Sequence, residues 1–342
     1  MTSNSDNGTI QLAHGGGGAL MRQLIDDVIL ATLGLPESGV LDDSAVLAWP
    51  DGHRLAFTTD SYVVSPLFFR GGDIGRLAVS GTVNDLAMVG ARPLWLTLSI
   101  VAEEGLSVTE LRRVLVSARA AADEAEVQIV AGDTKVVERG GADGLFLNTA
   151  GVGAIRDGAR ISSVNAVAGD AVLVNGTMGD HGVAVLSERQ GLEFETPVAS
   201  DVAPLAGLVA AMLDASPAGI RCLRDPTRGG LAAALNEIAS ASGVGILLSE
   251  ARVPVREAVK AACDMLGLDP LAVANEGKLV AMVAADAADS VLAAMRSHPL
   301  GRDAVQIGEV TAKSPGAVML DTLAGGLRIV DLPYGEQLPR IC

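Results

Sequence analysis

Carboxylates stand where apolar segments end or break at four places in this sequence. They are Asp42-Asp43 before Ser44-Ala45-Val46, Asp60 after Phe57-Thr58-Thr59, Asp85 in Asn84-Asp85-Leu86, and Asp133 in Gly132-Asp133-Thr134-Lys135. Carboxylates gathered from separate elements suit a hard divalent cation, because Mg2+ takes oxygen ligands and bridges one or two carboxylates to nucleotide phosphates. Taken singly, each is more often a cap on a helix or turn. Taken with the glycine clusters nearby, the set points to a metal–phosphate site. Those clusters are His14-Gly15-Gly16-Gly17-Gly18, Gly71-Gly72 and Asp225-Pro226-Thr227-Arg228-Gly229-Gly230. The last directly precedes a helical apolar pattern, so Thr227, Arg228, Gly229 and Gly230 form a candidate anion cradle of free N–H groups, one guanidinium and a helix dipole. No Gly-x-x-x-x-Gly-Lys-Ser/Thr occurs, so this is not a P-loop.

Lys135, two residues after Asp133, is a candidate phosphate contact and equally an ordinary surface lysine. Glu276 lies in the polar turn Ala274-Asn275-Glu276-Gly277 and is a candidate base, with a solvated turn carboxylate as the plain alternative. His14 and His181 adjoin glycine, but no His/Cys pairing has zinc-ligand spacing. Cys342 is the sharpest oddity. It is the last residue shown, after a segment containing Pro333, Gly335 and Pro339, and it is not fourth from the end as prenylation would require. Residues 331–342 have no helical or strand period; fully extended they reach roughly 40 Å. A thiol on such an arm suits a covalent carrier, set against an incidental terminal cysteine.

The elements that must position these groups follow from periodicity. Strands are expected near Arg54–Asp60, Tyr62–Leu67, Pro93–Ala102, Val127–Ala131 and Leu145–Ile155, with helices near Asp73–Val89 and Val108–Glu124. Strict strand–helix alternation is broken, which favours an α+β fold of α/β two-layer units over a parallel doubly wound sheet. A second set has strands near Ala171–Asn175, Gly245–Leu248, Leu279–Ala284 and Val305–Val310. Its helix Leu231–Ser240 carries Leu231, Ala234, Leu235 and Ile238 at i, i+3, i+4, i+7. The division expected is 1–39 as a glycine-rich N-terminal segment, 40–155 and 168–330 as two domains, and 331–342 as a mobile tail.

With 342 residues, 49% of them hydrophobic, the chain has apolar surface for a sizeable core and is not largely disordered. Its formal charge of −16 repels phosphate backbones and anionic lipid, which disfavours nucleic-acid or membrane binding. No long apolar run and no basic, apolar leader is seen, so a cytoplasmic protein is expected. Three cysteines fit a reducing compartment, with Cys222 and Cys263 expected to be structural.

These segments together resemble the HypE family, the carbamoyl dehydratases of [NiFe]-hydrogenase maturation. That family sits within the larger group of aminoimidazole ribonucleotide synthetases and selenophosphate synthetases. The resemblance runs almost end to end. It rests on Leu12-Ala13-His14-Gly15-Gly16-Gly17-Gly18, Asp42-Asp43-Ser44-Ala45-Val46-Leu47, Thr59-Asp60-Ser61-Tyr62 and Gly81-Thr82-Val83-Asn84-Asp85-Leu86-Ala87-Met88. It continues through Gly132-Asp133-Thr134-Lys135, Gly179-Asp180-His181-Gly182, Arg224-Asp225-Pro226-Thr227-Arg228-Gly229-Gly230, Ala274-Asn275-Glu276-Gly277-Lys278 and Pro339-Arg340-Ile341-Cys342. Several of these occur across the larger group; the terminal Pro-Arg-Ile-Cys is the specific one.

The resemblance implies two domains of PurM-like architecture, with the N-terminal sheets of two subunits pairing in a homodimer and ATP with Mg2+ in the cleft beside that interface. It implies metal-binding roles for Asp43, Asp60, Asp85 and Asp225, and places Asp133, Thr134 and Gly15, Gly16, Gly17 and Gly18 along the phosphates. Cys342 would receive a carbamoyl group from the carbamoyltransferase HypF. The chain would then dehydrate it with ATP to a thiocyanate and pass cyanide to the HypC–HypD complex, with Glu276 as base and Lys135 polarising the oxygen or phosphate. Two competitors remain: an ATP-dependent synthetase acting on a free small molecule, which needs no Cys342, and a non-catalytic carrier, which needs no carboxylate cluster.

Overall fold

The computed structural model describes residues 18–24, 26–27, 42, 44–48, 54–192, 197–335, 338 and 340–342. The first half builds a five-stranded sheet from β1 (Ala45–Ala48), β2 (Arg54–Tyr62), β5 (Ala91–Glu103), β6 (Gln128–Val137) and β7 (Leu145–Ile155), in the order β1-β2-β7-β5-β6. A two-residue hairpin, β3 (Phe68–Phe69) and β4 (Gly72–Asp73), stands apart from it. Only β5 and β6 run parallel, joined by the crossover helix α3 (Val108–Glu124).

Helix α2 (Ile74–Met88) lies under this sheet and is buried along nearly its whole length. Asp73 starts it by accepting the N–H groups of Gly75 and Arg76, at 2.8 and 3.0 Å, which satisfies two donors that have no partner inside the helix. Gly81 in its middle leaves room for the Tyr62 hydroxyl, with which any Cβ would collide. The sheet's other face is open: Phe57 and Trp95 remain 45% and 48% exposed.

The second half forms a seven-stranded sheet in the order β14-β13-β10-β12-β8-β11-β9. Its strands are β8 (Ala171–Val174), β9 (Ile220–Arg224), β10 (Gly245–Ser249), β11 (Val280–Val283), β12 (Val305–Thr311), β13 (Val318–Asp321) and β14 (Leu327–Ile329). Helices α4 (Asp180–Gln190), α5 (Ala206–Ala215), α6 (Gly230–Ser242), α7 (Glu257–Leu266) and α8 (Ala288–Ser297) complete it, while a short α1 (Ala19–Leu24) precedes the first sheet. The halves share buried surface, since Ala87 and Met88 of α2 belong to the same apolar cluster as Leu205, Leu208 and Met212.

Two sequence expectations are corrected. The separate strand expected over Tyr62–Leu67 is absent: β2 runs on through Asp60 and Ser61 to Tyr62, each residue from Leu55 to Tyr62 finding a partner on β7, and residues 63–67 form no strand. The strand expected to stop at Ala131 continues to Val137, since Gly132–Lys135 pair with Leu98–Val101 despite their polar character. Among the described residues no helix is long and apolar enough to cross a membrane.

Candidate active site

The site grows from four segments drawn from both halves of the chain. The end of β2 carries Asp60 and Tyr62, and α2 carries Asp85, which accepts the Thr58 hydroxyl at 2.9 Å. From the second half come Asp225 and Arg228 of the turn before α6, and Glu276 of the turn before β11. Asn84 ties the two sides together. Its amide donates to the Ala203 and Glu276 carbonyls at 3.1 and 3.2 Å, and its oxygen accepts the Leu205 N–H at 2.7 Å.

Charge is concentrated here under low solvent access, so each carboxylate feels the others strongly. Burial raises the Asp60 carboxyl above its usual range, opposed by the Arg228 guanidinium and by bonds from the Ser61 N–H and the Tyr62 hydroxyl. Burial, then the Asp60 and Asp85 charges, push the Tyr62 phenol well up. Glu276 is only 3% exposed, and its Oε1 has no hydrogen-bond partner among the described residues. Burial holds it well above the ordinary carboxylate range, and repulsion from Asp225, Asp60 and Asp201 adds to the effect. Asp201 in turn accepts the Glu276 N–H at 3.0 Å, which fixes the turn. A buried carboxyl that favours its neutral form at rest is poised to exchange protons.

Arg228 is the cation facing this set. Cys342 exerts the largest stabilising pull on its charge, followed by Asp60 and Glu276. Main-chain hydrogen bonds dock the tail beside the end of β2. Its last residues run antiparallel to 63–65: the Val63 N–H donates to the Cys342 main-chain oxygen at 3.1 Å and the Ser65 N–H to the Arg340 carbonyl at 3.3 Å. Ile341 is buried, and Cys342 packs against the core around Tyr62, Val64 and Phe69.

The remaining expected residues fall elsewhere or outside the described residues. Asp133, Thr134 and Lys135 stand on the exposed edge strand β6, where Lys135 Nζ bonds Asp133 at 2.6 Å and its ammonium holds that carboxyl below its usual range. The structure does not bring them to the Asp60–Glu276 cluster within one chain. Asp43 and Gly15, Gly16 and Gly17 lie outside the described residues. Gly18 is seated against the root of the tail, with no room for a Cβ beside the Pro333 carbonyl, and Ala19 donates to that same carbonyl at 3.1 Å. Asp42 is a clamp rather than a ligand: it accepts both the hydroxyl and the N–H of Ser163, and the Ser162 hydroxyl, at 2.7–2.8 Å. Gly229 and Gly230 have φ of 76° and 61°, and a Cβ on Gly230 would lie 2.6 Å from the Leu271 and Val273 carbonyls. Close packing of the turn thus requires glycine there whatever binds at the helix N-terminus.

Among the described residues no three His, Cys, Asp or Glu side chains form a ready-made metal cage. Asp60, Asp85 and Asp225 nonetheless supply the oxygen donors a hard cation takes when phosphates and water complete its shell. The site residues that sequence reasoning missed are Tyr62, Asn84, Asp201 and the two side chains that hold the tail, His181 and Arg189. Asn84 and His181 stood in the motifs but carried no assigned role.

Comparison with known proteins identifies the family and the fold. Residues 41–155 match the AIR synthase related protein N-terminal domain, and residues 167–321 match its C-terminal domain. The carbamoyl dehydratase HypE of Bradyrhizobium diazoefficiens is 56% identical over 336 residues, 98% of this chain and 97% of that protein. The chain belongs to the HypE family. Its fold is the two-domain PurM-like architecture of that group. A HypE crystal structure in complex with ATP superposes with a TM-score of 0.82 at 47% identity, covering 98% of this chain and all of that one. A HypE–HypF complex gives 0.86 at 49% identity, covering 91% and 99%.

Proposed function

We propose that this chain is an ATP-dependent carbamoyl dehydratase whose substrate is its own Cys342 carrying an S-carbamoyl group, and whose product is the protein thiocyanate that supplies cyanide ligands to the [NiFe]-hydrogenase iron centre. The observation that carries the reading is the docked tail, its main chain bonded to residues 63–65 and to His181, with Cys342 facing Arg228. A synthetase for free small molecules has no use for a cysteine held there, and a bare carrier has no use for the carboxylates. The HypE–ATP complex supports ATP as the co-substrate, and the HypE–HypF complex supports HypF as the source of the carbamoyl group.

The chemistry asks for loss of water from S–C(=O)–NH2, where oxide is a poor leaving group. Attack of the carbamoyl oxygen on the γ-phosphate of ATP releases ADP and one N–H proton and leaves S–C(O-phosphate)=NH. Departure of phosphate with loss of the second N–H proton gives S–C≡N. Glu276 is placed to take a proton in this sequence, and Arg228 to hold developing negative charge beside Cys342. Asp60, Asp85, Asp225 and Asp43 would hold Mg2+, which supplies charge neutralisation on the triphosphate. Thr227 to Gly230, Gly15 to Gly18, Asp133 and Thr134 would line the phosphates, with Lys135 polarising the transferred group.

The units 40–155 and 168–330 would act as the two domains. Since β6 and the open sheet face expose Val130, Val136, Phe57 and Trp95, a second copy is the natural cover, and a homodimer would carry β6 residues into the cleft at the interface. HypC–HypD would accept the cyanide, and the reaction would take place in the cytoplasm. Intact-mass measurement with HypF, carbamoyl phosphate and MgATP tests the reading. A gain of about 43 Da that converts to about 25 Da, absent in Cys342→Ala, is expected from these covalent intermediates. ATP consumption without any mass change would replace it with the free-substrate synthetase.

A further inference from the structure

The tail is held by its main chain, and the groups that hold it are specific. His181, fully buried in the first turn of α4, has Nδ1 2.8 Å from the Ser200 hydroxyl and Nε2 2.9 Å from the Ile341 carbonyl. Since a carbonyl only accepts, Nε2 carries the hydrogen, and Nδ1 accepts from Ser200. Phe69 packs edge-on against the ring at 5.5 Å and keeps it from swinging. The ring's frame is the one that holds Glu276: the Gly182 N–H donates to the Ala274 carbonyl at 3.0 Å, and the Gly179 N–H to the Asn275 side chain at 2.7 Å. Nearer the surface, Arg189 grips the Ser65 and Arg340 carbonyls at 2.6 and 2.5 Å.

We propose that His181 is the positioning residue that sets the register of the tail, gripping the Ile341 carbonyl so that Cys342, one residue on, is held at the end of β2 facing Arg228. The proposal rests on the tail being the substrate arm. It assigns His181 no contact with the reacting atoms. Because the grip is on a main-chain oxygen and leaves Sγ untouched, free and carbamoylated tails dock alike. Release for a partner requires breaking this bond together with those of Arg189.

The test uses the full chain and reads alkylation of Cys342 by iodoacetamide, with buried Cys222 and Cys263 as internal reporters of folding. His181→Leu keeps the bulk and removes the donor, and alkylation of Cys342 is expected to rise on the order of tenfold, the effect of losing one buried hydrogen bond. His181→Gln restores a donor and is expected to return protection most of the way, which a merely space-filling role would not do. Carbamoyl-to-cyano conversion in a single turnover is expected to fall in the same order, with ATP affinity unchanged. Wild-type protection in His181→Leu overturns the proposal. Should that variant unfold, marked by modification of Cys222, Ser200→Ala takes its place. Without the Ser200 hydroxyl nothing fixes the proton on Nε2, the bond to the Ile341 carbonyl weakens and Cys342 alkylation rises; no rise again overturns the proposal. Absence of any conversion in the wild-type chain would sink the dehydratase reading, while the alkylation rates would still decide the role of His181.

Discussion

Glu276→Gln removes a buried carboxyl whose proton is held more tightly in the folded chain than in water. A carboxyl with a raised folded value binds its proton more tightly in the folded than in the unfolded chain, so folding is favoured at low pH and loses stability as pH climbs. The loss begins at the ordinary value of 4.5 and continues until the raised one is reached, at about 1.36 kcal/mol per pH unit. Glutamine has the same shape and no proton to lose, so the stability gap between the variant and the wild type opens by about that amount per unit inside the window. For 342 residues unfolding together, with an unfolding entropy of about 2.1 cal/mol/K per residue, 1 kcal/mol moves Tm by about 1.5 °C. The variant is therefore expected to gain about 2 °C on the wild type for each pH unit between 4.5 and the raised value, with no further gain beyond it, in metal-free buffer without nucleotide, and to lose carbamoyl conversion. Thermal denaturation followed by circular dichroism across pH 5–8 measures both slopes. Parallel Tm curves for the two proteins would refute the argument that burial, with repulsion from Asp225, Asp60 and Asp201 added, raises the Glu276 carboxyl.

Gly81→Ala places a methyl against the Tyr62 hydroxyl and is expected to destabilise the chain by about 1–3 kcal/mol, read by urea titration. Asp133→Asn and Lys135→Met change side chains that are 62% and 66% exposed and are expected to leave stability within about 0.5 kcal/mol. A fall in conversion in the same variants would mark a role in the assembled dimer, and unchanged conversion would remove both from the phosphate site. Gly18→Ala should displace the Pro333–Gly335 segment and raise protease cleavage in the tail root while sparing the two sheets.

The regular elements were legible where burial imposes a period: β7 matches its expected span, and α6 lies within two residues of it at each end. Legibility failed at the polar ends of strands. Asp60-Ser61 reads as a turn because neither residue is apolar, yet their main chain pairs with β7. Gly132–Lys135 reads as a turn because an exposed edge strand has no buried face to give it alternation. Glu276 and Cys342 were legible as chemistry from residue type and place, but the docking of the tail at the end of β2 was not, since it depends on packing between segments far apart in the chain. His181 escaped for a related reason: its partner is a main-chain carbonyl, and a carbonyl leaves no mark in the residue types.

An arm docked within its own chain changes the kinetic order of what happens to it. The reacting sulfur and the groups around it are delivered together at an effective concentration no dissolved thiol reaches. Dilution does not slow such a step, and free carbamoyl compounds cannot compete for it except by prising the arm out. On the function proposed above, such a chain has no Michaelis constant for a carbamoyl substrate. Its rate responds to nucleotide supply and to the fraction of time the arm is home, so every encounter that lures the arm outward subtracts from turnover.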